Sequence, residues 1–474
     1  MTAFHVSLTN RNDLSGAIYR QIRQAILDGK LRAGDRLPAS RDLARSLAVS
    51  RTTVTVAYER LASEGFVKSR LGDGTYVNEW IAPDRSHPRG NRPDGVLQPR
   101  PIWESIALPT AFETPAVFDF RTGLPDVSRF PHRLWRRLVG RALRSNETAI
   151  YDHPAGDAGL RAAIARHIGI SRGIEASAED VIITNGTQQA LDIVIRVLTE
   201  PGDGVAVEDP GYEPPRKLFR ASGLRLVGVP VDGEGIVVSA LPRGIRVAYV
   251  TPSHQYPLGV SMTLARRQAL LAWAERNNAA VIEDDYDSEF RFAGRPLDPL
   301  RTLDASDRVI YVGTFSKTLL PTLRLGFIVA PPSLLLALQK AKHVCDWHTP
   351  TLNQKALAYF IDDGSFTRHI RKVSALYRDR REILVDTLER DFSDHLELIP
   401  STTGLHLATL ARSASVEQIS AIARRAGSVG VAVQRLSSFA ASELAQAGLV
   451  FGYGAIPASQ IEKGLRLLRQ CFDG

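Results

Sequence analysis

The chain has 474 residues, 44% of them hydrophobic and 23% charged, with two cysteines and a formal net charge of +8. That length exceeds what one core organises and predicts two or three domains of ordinary soluble composition. No apolar run is long enough to span a membrane, residues 1–30 carry no signal-peptide pattern, and Cys345 and Cys471 have no metal-ligand spacing, so a cytoplasmic protein without membrane association is expected. Residues 1–80 hold 12 Lys/Arg against 8 Asp/Glu, an excess of +4 in about a sixth of the chain. This permits nucleic-acid binding without establishing it.

Leu14, Ile18, Ile22 and Ile26 recur at every fourth position and predict an amphipathic helix that Gly29 ends. Beyond the connector Leu31 to Pro38, Ser40 is expected to cap a short helix, Arg41 to Leu47. Ser50 is expected to cap a longer one, Arg51 to about Glu64, with Val54, Ala57, Tyr58 and Leu61 facing inward. Arg51, Thr52, Thr53 and Thr55 crowd its first turn and point away. Gly65 to Val77 reads as two strands around a Gly72-Asp73-Gly74 tip. Helix, short helix, turn, helix and wing, in that order, define a winged helix-turn-helix, whose last helix enters the major groove by its N-terminal turn. The competing reading is a three-helix domain with a solvated basic face. The runs Leu37-Pro38-Ala39-Ser40-Arg41-Asp42-Leu43-Ala44, Val49-Ser50-Arg51-Thr52-Thr53-Val54 and Ala57-Tyr58-Glu59-Arg60-Leu61 resemble the DNA-binding domain of the GntR family. The resemblance implies that Arg41, Arg51, Thr52 and Thr53 contact the major groove and that Gly72 lets the wing approach the minor groove.

Residues 1–78 therefore form the first expected domain. From 79 to 112 the hydrophobic period vanishes, and prolines such as Pro83, Pro88, Pro93, Pro99 and Pro101 are interspersed with arginines. That composition predicts a semi-stiff linker, with a structured extension conceivable around Trp103 to Leu108.

In residues 113–474, apolar strands such as Val181–Thr184, Gly204–Val207, Val247–Val250, Ala280–Ile282 and Val309–Val312 alternate with helical stretches. Runs of that kind indicate an α/β domain with a mainly parallel sheet covered on both faces. Ligands in such sheets sit beyond the C-terminal strand ends. Four polar stretches follow such ends. Gly186-Thr187 opens a helix whose free amides suit an anion. Tyr212 is placed to lie on an aromatic ring or, equally, to pack in the core. Glu283-Asp284-Asp285-Tyr286 brings three acids together, which repel one another unless a cation is near. Thr314-Phe315-Ser316-Lys317 carries a lysine between two buried strands, and Arg324 follows seven residues later. Desolvation lowers a lysine's pKa and makes its amine a nucleophile, while hydroxyls and a guanidinium suit a phosphate monoester. Amine and phosphate cradle together point to pyridoxal 5′-phosphate (PLP). The 33 residues from Asp284 to Lys317 fit one crossover between neighbouring strands.

This set resembles the fold-type I PLP aminotransferases of class I. The resemblance implies a Schiff base at Lys317, Asp284 on the pyridine nitrogen, Tyr286 on the 3′-oxygen and Tyr212 stacked on the ring. It implies Gly186, Thr187, Thr314, Ser316 and Arg324 at the phosphate, and Tyr151 reaching a neighbouring subunit's phosphate. Two positions depart from that pattern. Tyr256 stands where an asparagine usually precedes Pro-x-Gly, with His254 or Gln255 as possible substitutes. Val450 stands where an arginine usually grips the substrate carboxylate, which puts efficient transamination of α-amino acids in doubt. Arg216 is open to an acid-binding role, but a surface role is the ordinary expectation.

A GntR winged helix, a linker and an aminotransferase-like domain together resemble the MocR/GabR transcription regulators. That resemblance implies a head-to-tail homodimer, double-stranded DNA operators of repeated half-sites, and PLP as cofactor or co-effector. It also implies an amine or amino-acid-like effector, or PLP itself, acting through the bond at Lys317. The alternatives are a working aminotransferase with an accessory DNA-binding domain, and a regulator whose large domain is only a dimerisation scaffold.

Overall fold

The computed structural model describes residues 13–70, 73–78, 97–108, 116–144, 150–294, 297–441 and 446–473. The chain divides into two compact units, residues 1–98 and 99–474.

In the first unit, helices α1 (Leu14–Leu27), α2 (Ser40–Ser46) and α3 (Arg51–Ser63) precede strands β1 (Val67–Arg70) and β2 (Gly74–Val77). Ile18, Ile22 and Ile26 of α1 pack with Leu43, Val54 and Leu61, and Val67 and Val77 join the same core. The strands pair antiparallel, Val67 opposite Val77 and Arg70 opposite Gly74. Ser50 caps α3 by accepting the Thr53 amide at 3.1 Å. The expected Ser40 cap is not formed: α2 starts at Ser40, Ala39 is its N-cap, and no side chain caps it. A capping hydroxyl must sit on the non-helical residue before the first turn, and Ser40 is already inside that turn.

The second unit opens inside the expected linker. Arg100 Nη2 donates to Ala221 O at 3.4 Å, α4 (Ile102–Ser105) makes one turn, and Lys217 Nζ donates to Ala107 O at 3.1 Å. The segment is thus tied to α8 from both sides: its own Arg100 donates to a carbonyl at the end of that helix, and Lys217 of the helix takes up one of the segment's carbonyls. Then follow β3 (Phe118–Asp119), α5 (His132–Leu143), α6 (Ala158–Arg172), β4 (Val181–Thr184), α7 (Thr187–Leu198), β5 (Gly204–Asp209) and α8 (Glu213–Ala221). β6 (Arg225–Asp232), β7 (Gly235–Ile236), β8 (Ile245–Val250), α9 (Leu264–Arg276), β9 (Ala280–Asp285), α10 (Leu300–Leu303), β10 (Val309–Thr314) and β11 (Gly326–Val329) complete the large sheet and its covering helices. Its order is β4-β11-β10-β9-β8-β5-β6-β7. β11 runs antiparallel to both neighbours and β7 to β6, while the remaining pairs are parallel. Ile182 packs into one core and Val181 and Ile183 into another, so helices cover both faces and the strands need no polar side.

Helices α11 (Pro332–Asp346), α12 (Thr351–Asp362) and α13 (Ser365–Asp391) lead to a smaller sheet. Its elements are β12 (Leu396–Leu398), β13 (His406–Ala411), α14 (Val416–Ser428), β14 (Val431–Ala432), β15 (Gln434–Arg435), β16 (Gly448–Gly452) and α15 (Ala458–Gln470). β12, β13, β16 and β15 pair antiparallel in that order, and β14 pairs in parallel with β3. Among the described residues, no helix is long and apolar enough to cross a membrane.

The reversal of β11 matters for the site. Gly326, where it begins, lies opposite Thr314 and Thr184, where β10 and β4 end. Arg324 is thereby delivered to the same edge as the ends of the parallel strands.

Candidate functional site

A cavity of about 360 Å³ opens at that edge. Lys317, Ser316 and Thr314 reach it from the end of β10, and Asp284 and Tyr286 from the end of β9. Tyr212, Thr187 and Arg324, also expected from the sequence, line it too.

Lys317 Nζ donates to Gly123 O at 2.7 Å. Burial lowers the pKa of this amine, an effect Arg324 reinforces and Asp287 and Asp284 oppose. Asp284 Oδ2 accepts the Tyr249 hydroxyl at 2.7 Å, while Oδ1 is buried without a partner. Burial pushes this carboxyl up to about 7, against the Tyr249 hydrogen bond. The neighbouring acids do not share its surroundings. Glu283 accepts the amides of Leu300 and Arg301, each at 2.9 Å, and lies 3.7 Å from Arg267. Asp285 lies 2.9 Å from Arg172 and accepts the Tyr311 hydroxyl at 2.7 Å. The expected mutual repulsion of three acids is thus relieved by strand alternation, which sends Glu283 and Asp285 to arginines and leaves Asp284 facing the cavity.

The Tyr286 hydroxyl donates to His254 O at 2.9 Å and lies 3.1 Å from His254 Nδ1, which in turn sits 3.0 Å from Asp287 Oδ2. Gln255 braces its loop: its Nε2 donates to Pro210 O at 2.9 Å and its Oε1 accepts the Leu258 amide at 3.0 Å. Neither side chain replaces the missing asparagine at the cavity wall, where Tyr256 stands instead.

At the other corner, Gly186 has φ +75°, and a Cβ there would come within 2.7 Å of Arg324 Nη2. Only glycine leaves room for the guanidinium beside the first turn of α7, whose amides have no side-chain cap. Arg324 itself adopts φ +53° and donates to Asn185 O at 2.9 Å. A left-handed arginine is strained, and such strain persists where surroundings over-determine it. The Thr314 hydroxyl donates to Ser316 Oγ at 3.0 Å and accepts the Ser316 amide at 3.2 Å.

Tyr151 is not brought to this cavity. It is 76% exposed and its ring lies 4.7 Å from that of Trp347. Arg216 is not on the surface as expected: it is buried and its Nη1 donates to Phe439 O at 2.9 Å. The same carbonyl accepts the Gly211 amide at 3.0 Å, so the arginine of α8 adds a second tie between the segment after β5 and the turn after β15. The sequence reading missed Thr122, Gly123, Tyr249, Asp287, His406 and Gln434, which also line the cavity. Tyr249 alone carried a signal, since a phenol within a buried strand requires a polar partner.

In the first unit, Arg41, Arg51 and Thr52 are exposed, whereas Thr53 is half-buried and its hydroxyl lies 2.8 Å from Ser50 Oγ within the cap. Gly72 lies outside the described residues.

Residues 14–77 match the gntR family of bacterial regulatory proteins, and residues 117–449 match aminotransferase class I and II. The chain is similar to the probable rhizopine catabolism regulatory protein MocR of Rhizobium meliloti, 37% identical over 96% of this chain and 93% of that one. It is 35% identical to the pyridoxine biosynthesis transcriptional regulator PdxR of Corynebacterium glutamicum, over 92% of this chain and 90% of that one. The kynurenine aminotransferase of Pyrococcus horikoshii matches its fold with a TM-score of 0.71 at 27% identity, over 80% of this chain and 95% of that one. The chain belongs to the MocR/GabR-type GntR regulators, DNA-binding transcriptional regulators in which a winged helix-turn-helix is joined to a class I/II aminotransferase domain.

Proposed function

We propose that the large domain binds PLP on Lys317 and that a small amine, by acting on that attachment, changes how the winged helices engage DNA. The observation carrying this reading is Asp284 Oδ1, a buried carboxylate oxygen with no protein partner, in the same cavity as a desolvated lysine. A carboxylate left so is costly unless a ligand supplies the cation. When bound, PLP supplies a protonated ring nitrogen, an electron-drawing ring and an aldehyde that condenses with a primary amine.

The protein's residues take the following roles. Burial favours the uncharged, nucleophilic form of Lys317. Asp284 holds the ring nitrogen's proton, and Tyr249 fixes the carboxylate that does so. Tyr212 packs on the ring, and Tyr286, oriented by His254, faces its 3′-oxygen. Gly186, Thr187, Thr314, Ser316 and Arg324 receive the phosphate. Tyr151 serves a second copy of the chain in a head-to-tail homodimer, a role its exposure allows. Arg41, Arg51, Thr52 and Thr53 face the major groove of an operator built of repeated half-sites. The effector shifts DNA binding only by the difference in its affinity for two arrangements of the protein.

Borohydride treatment of PLP-loaded protein tests the reading. A stable adduct on the peptide carrying Lys317 is expected, and an unmodified Lys317 in cofactor-saturated protein overturns it. Salt-dependent binding to DNA upstream of the gene tests the first unit. Transamination is a second reading, favoured by the Lys317 and Asp284 pair but opposed by Val450. Steady-state turnover of common α-amino acids with a keto-acid acceptor would decide for it.

A further inference from the structure

The cavity has a second polar wall that the PLP contacts do not use. Gln434 Oε1 accepts both the amide and the hydroxyl of Thr122, each at 2.7 Å. Because an amide N–H can only donate, the Gln434 atom facing it must be the oxygen, and the carboxamide orientation is fixed. The Thr122 hydroxyl is in turn hydrogen-bonded to the Tyr256 hydroxyl. Gln434 Nε2 has no protein acceptor among the described residues, so this cavity-lining side chain presents a neutral donor.

Gln434 pairs across the small sheet with Val450, and Val450 pairs on its other side with Ala408. Directly opposed residues of antiparallel strands share one face, so Val450 points to the side from which Gln434 reaches the cavity. There it packs with Tyr256, Leu436 and Phe439. The cationic side chains lining the cavity, among the described residues, are Lys317 and Arg324. Lys317 reaches Gly123 O beside this wall, but in the PLP reading its amine is taken up by the cofactor, and Arg324 lies at the Gly186 corner. His406 lines it too, but burial holds its imidazole well below its ordinary pKa, and neighbouring His254 lowers it further. Asp287 adds a buried carboxylate to the same cavity. An acidic ligand group here would lose its water, gain no cation and face a like charge.

We propose that the ligand of this cavity is a small primary amine without an acidic group, an amino alcohol or comparable neutral-ended amine, whose oxygen accepts from Gln434 Nε2. This rests on the reading of the cavity as a PLP site.

The test uses full-length protein loaded with PLP and two matched pairs, L-alaninol with L-alanine and serinol with L-serine. Absorbance and circular dichroism of the bound cofactor report each titration. The alcohols are expected to perturb the spectrum at concentrations at least about tenfold below those of the acids, a difference of about 1.4 kcal/mol. Gln434→Lys, at the edge of the sheet, should move that preference toward the acids, and Val450→Arg should do so further if it folds. Acids that act at concentrations equal to or lower than the alcohols overturn the proposal, as does cofactor-loaded protein that responds to neither. A wild-type chain that shows no cofactor absorbance on loading, before any amine is added, overturns instead the PLP reading beneath it.

Discussion

The two units place the cations of their proposed sites in opposite surroundings. Arg41 and Arg51 are exposed, the setting in which the groove contacts proposed for them would act by displacing the counterions of a phosphate backbone. Lys317 lines a cavity where desolvation lowers the pKa of its amine, the direction that favours the nucleophilic role proposed for it. The first kind of site is sensitive to salt and indifferent to the exact pose of each side chain. The second is screened from salt but depends on groups converging from strands far apart in sequence. The contrast separates what each unit can lose without harm to the other.

The largest expected effect follows from the half-buried lysine. Lys317→Ala should abolish borohydride-fixable cofactor and the response to effector, while operator binding by the separate first unit persists. A variant that kept a wild-type effector response would show that the amine is not what couples the units. Arg51→Ala is the mirror case. Losing one groove contact should weaken operator binding by about 1–3 kcal/mol, or roughly five- to 150-fold, and lower the slope of log affinity against log salt by about 1. Cofactor absorbance should not change. Anisotropy titrations over a salt series measure both quantities, and an unchanged slope would remove Arg51 from the phosphate-facing surface.

Asp284 gives a smaller effect with a distinctive pH dependence. Its pKa is raised from the ordinary 3.8 to about 7 in the folded cofactor-free chain. A raised carboxyl binds its proton more tightly when folded, so its penalty is absent below 3.8, grows as pH rises and is complete above about 7. Asp284→Asn should therefore stabilise the protein without PLP at pH 8, by on the order of 4 kcal/mol, and the gain should disappear as the pH falls toward the ordinary carboxylate range. The same substitution should weaken PLP binding. Thermal unfolding across pH, with and without PLP, distinguishes the two effects. A variant less stable than wild type at pH 8 would mean that Asp284 is structurally satisfied and not held ready for a ligand.

What could be read from the sequence divides along the same line. Ile18, Ile22 and Ile26, the Ser50 cap and the strand pair of the wing depend on neighbours within a few residues, and the structure has each of them. Lys317, Asp284 and Tyr212 were visible for a different reason: each follows or ends an apolar strand, and topology alone carries such ends to one edge. Arg216 was misjudged because nothing near it in sequence shows that Phe439 O lies above it. Thr122 and Gln434 left no trace, since their contact spans 312 residues and joins a turn to a strand of the small sheet. Local order predicts caps and faces, but the pairing of loops across a fold is decided by packing.

The smallest effect tests local reasoning where it half succeeded. Two serines precede helices in the first unit, and the sequence marks both as caps. Only Ser50 accepts a backbone amide, that of Thr53, whereas Ser40 already lies in the first turn of α2 and caps nothing. Ser50→Ala should cost about 1 kcal/mol by freeing an amide of α3. It should also loosen the turn that carries Arg51 and Thr52, and so weaken operator binding slightly. Ser40→Ala should change stability by no more than about 0.5 kcal/mol, the range of ordinary surface substitutions. Denaturant unfolding followed by a probe in the first unit measures both. Equal losses would mean that the Ser40 hydroxyl caps α2 in solution after all, and that the first turn of that helix begins one residue later.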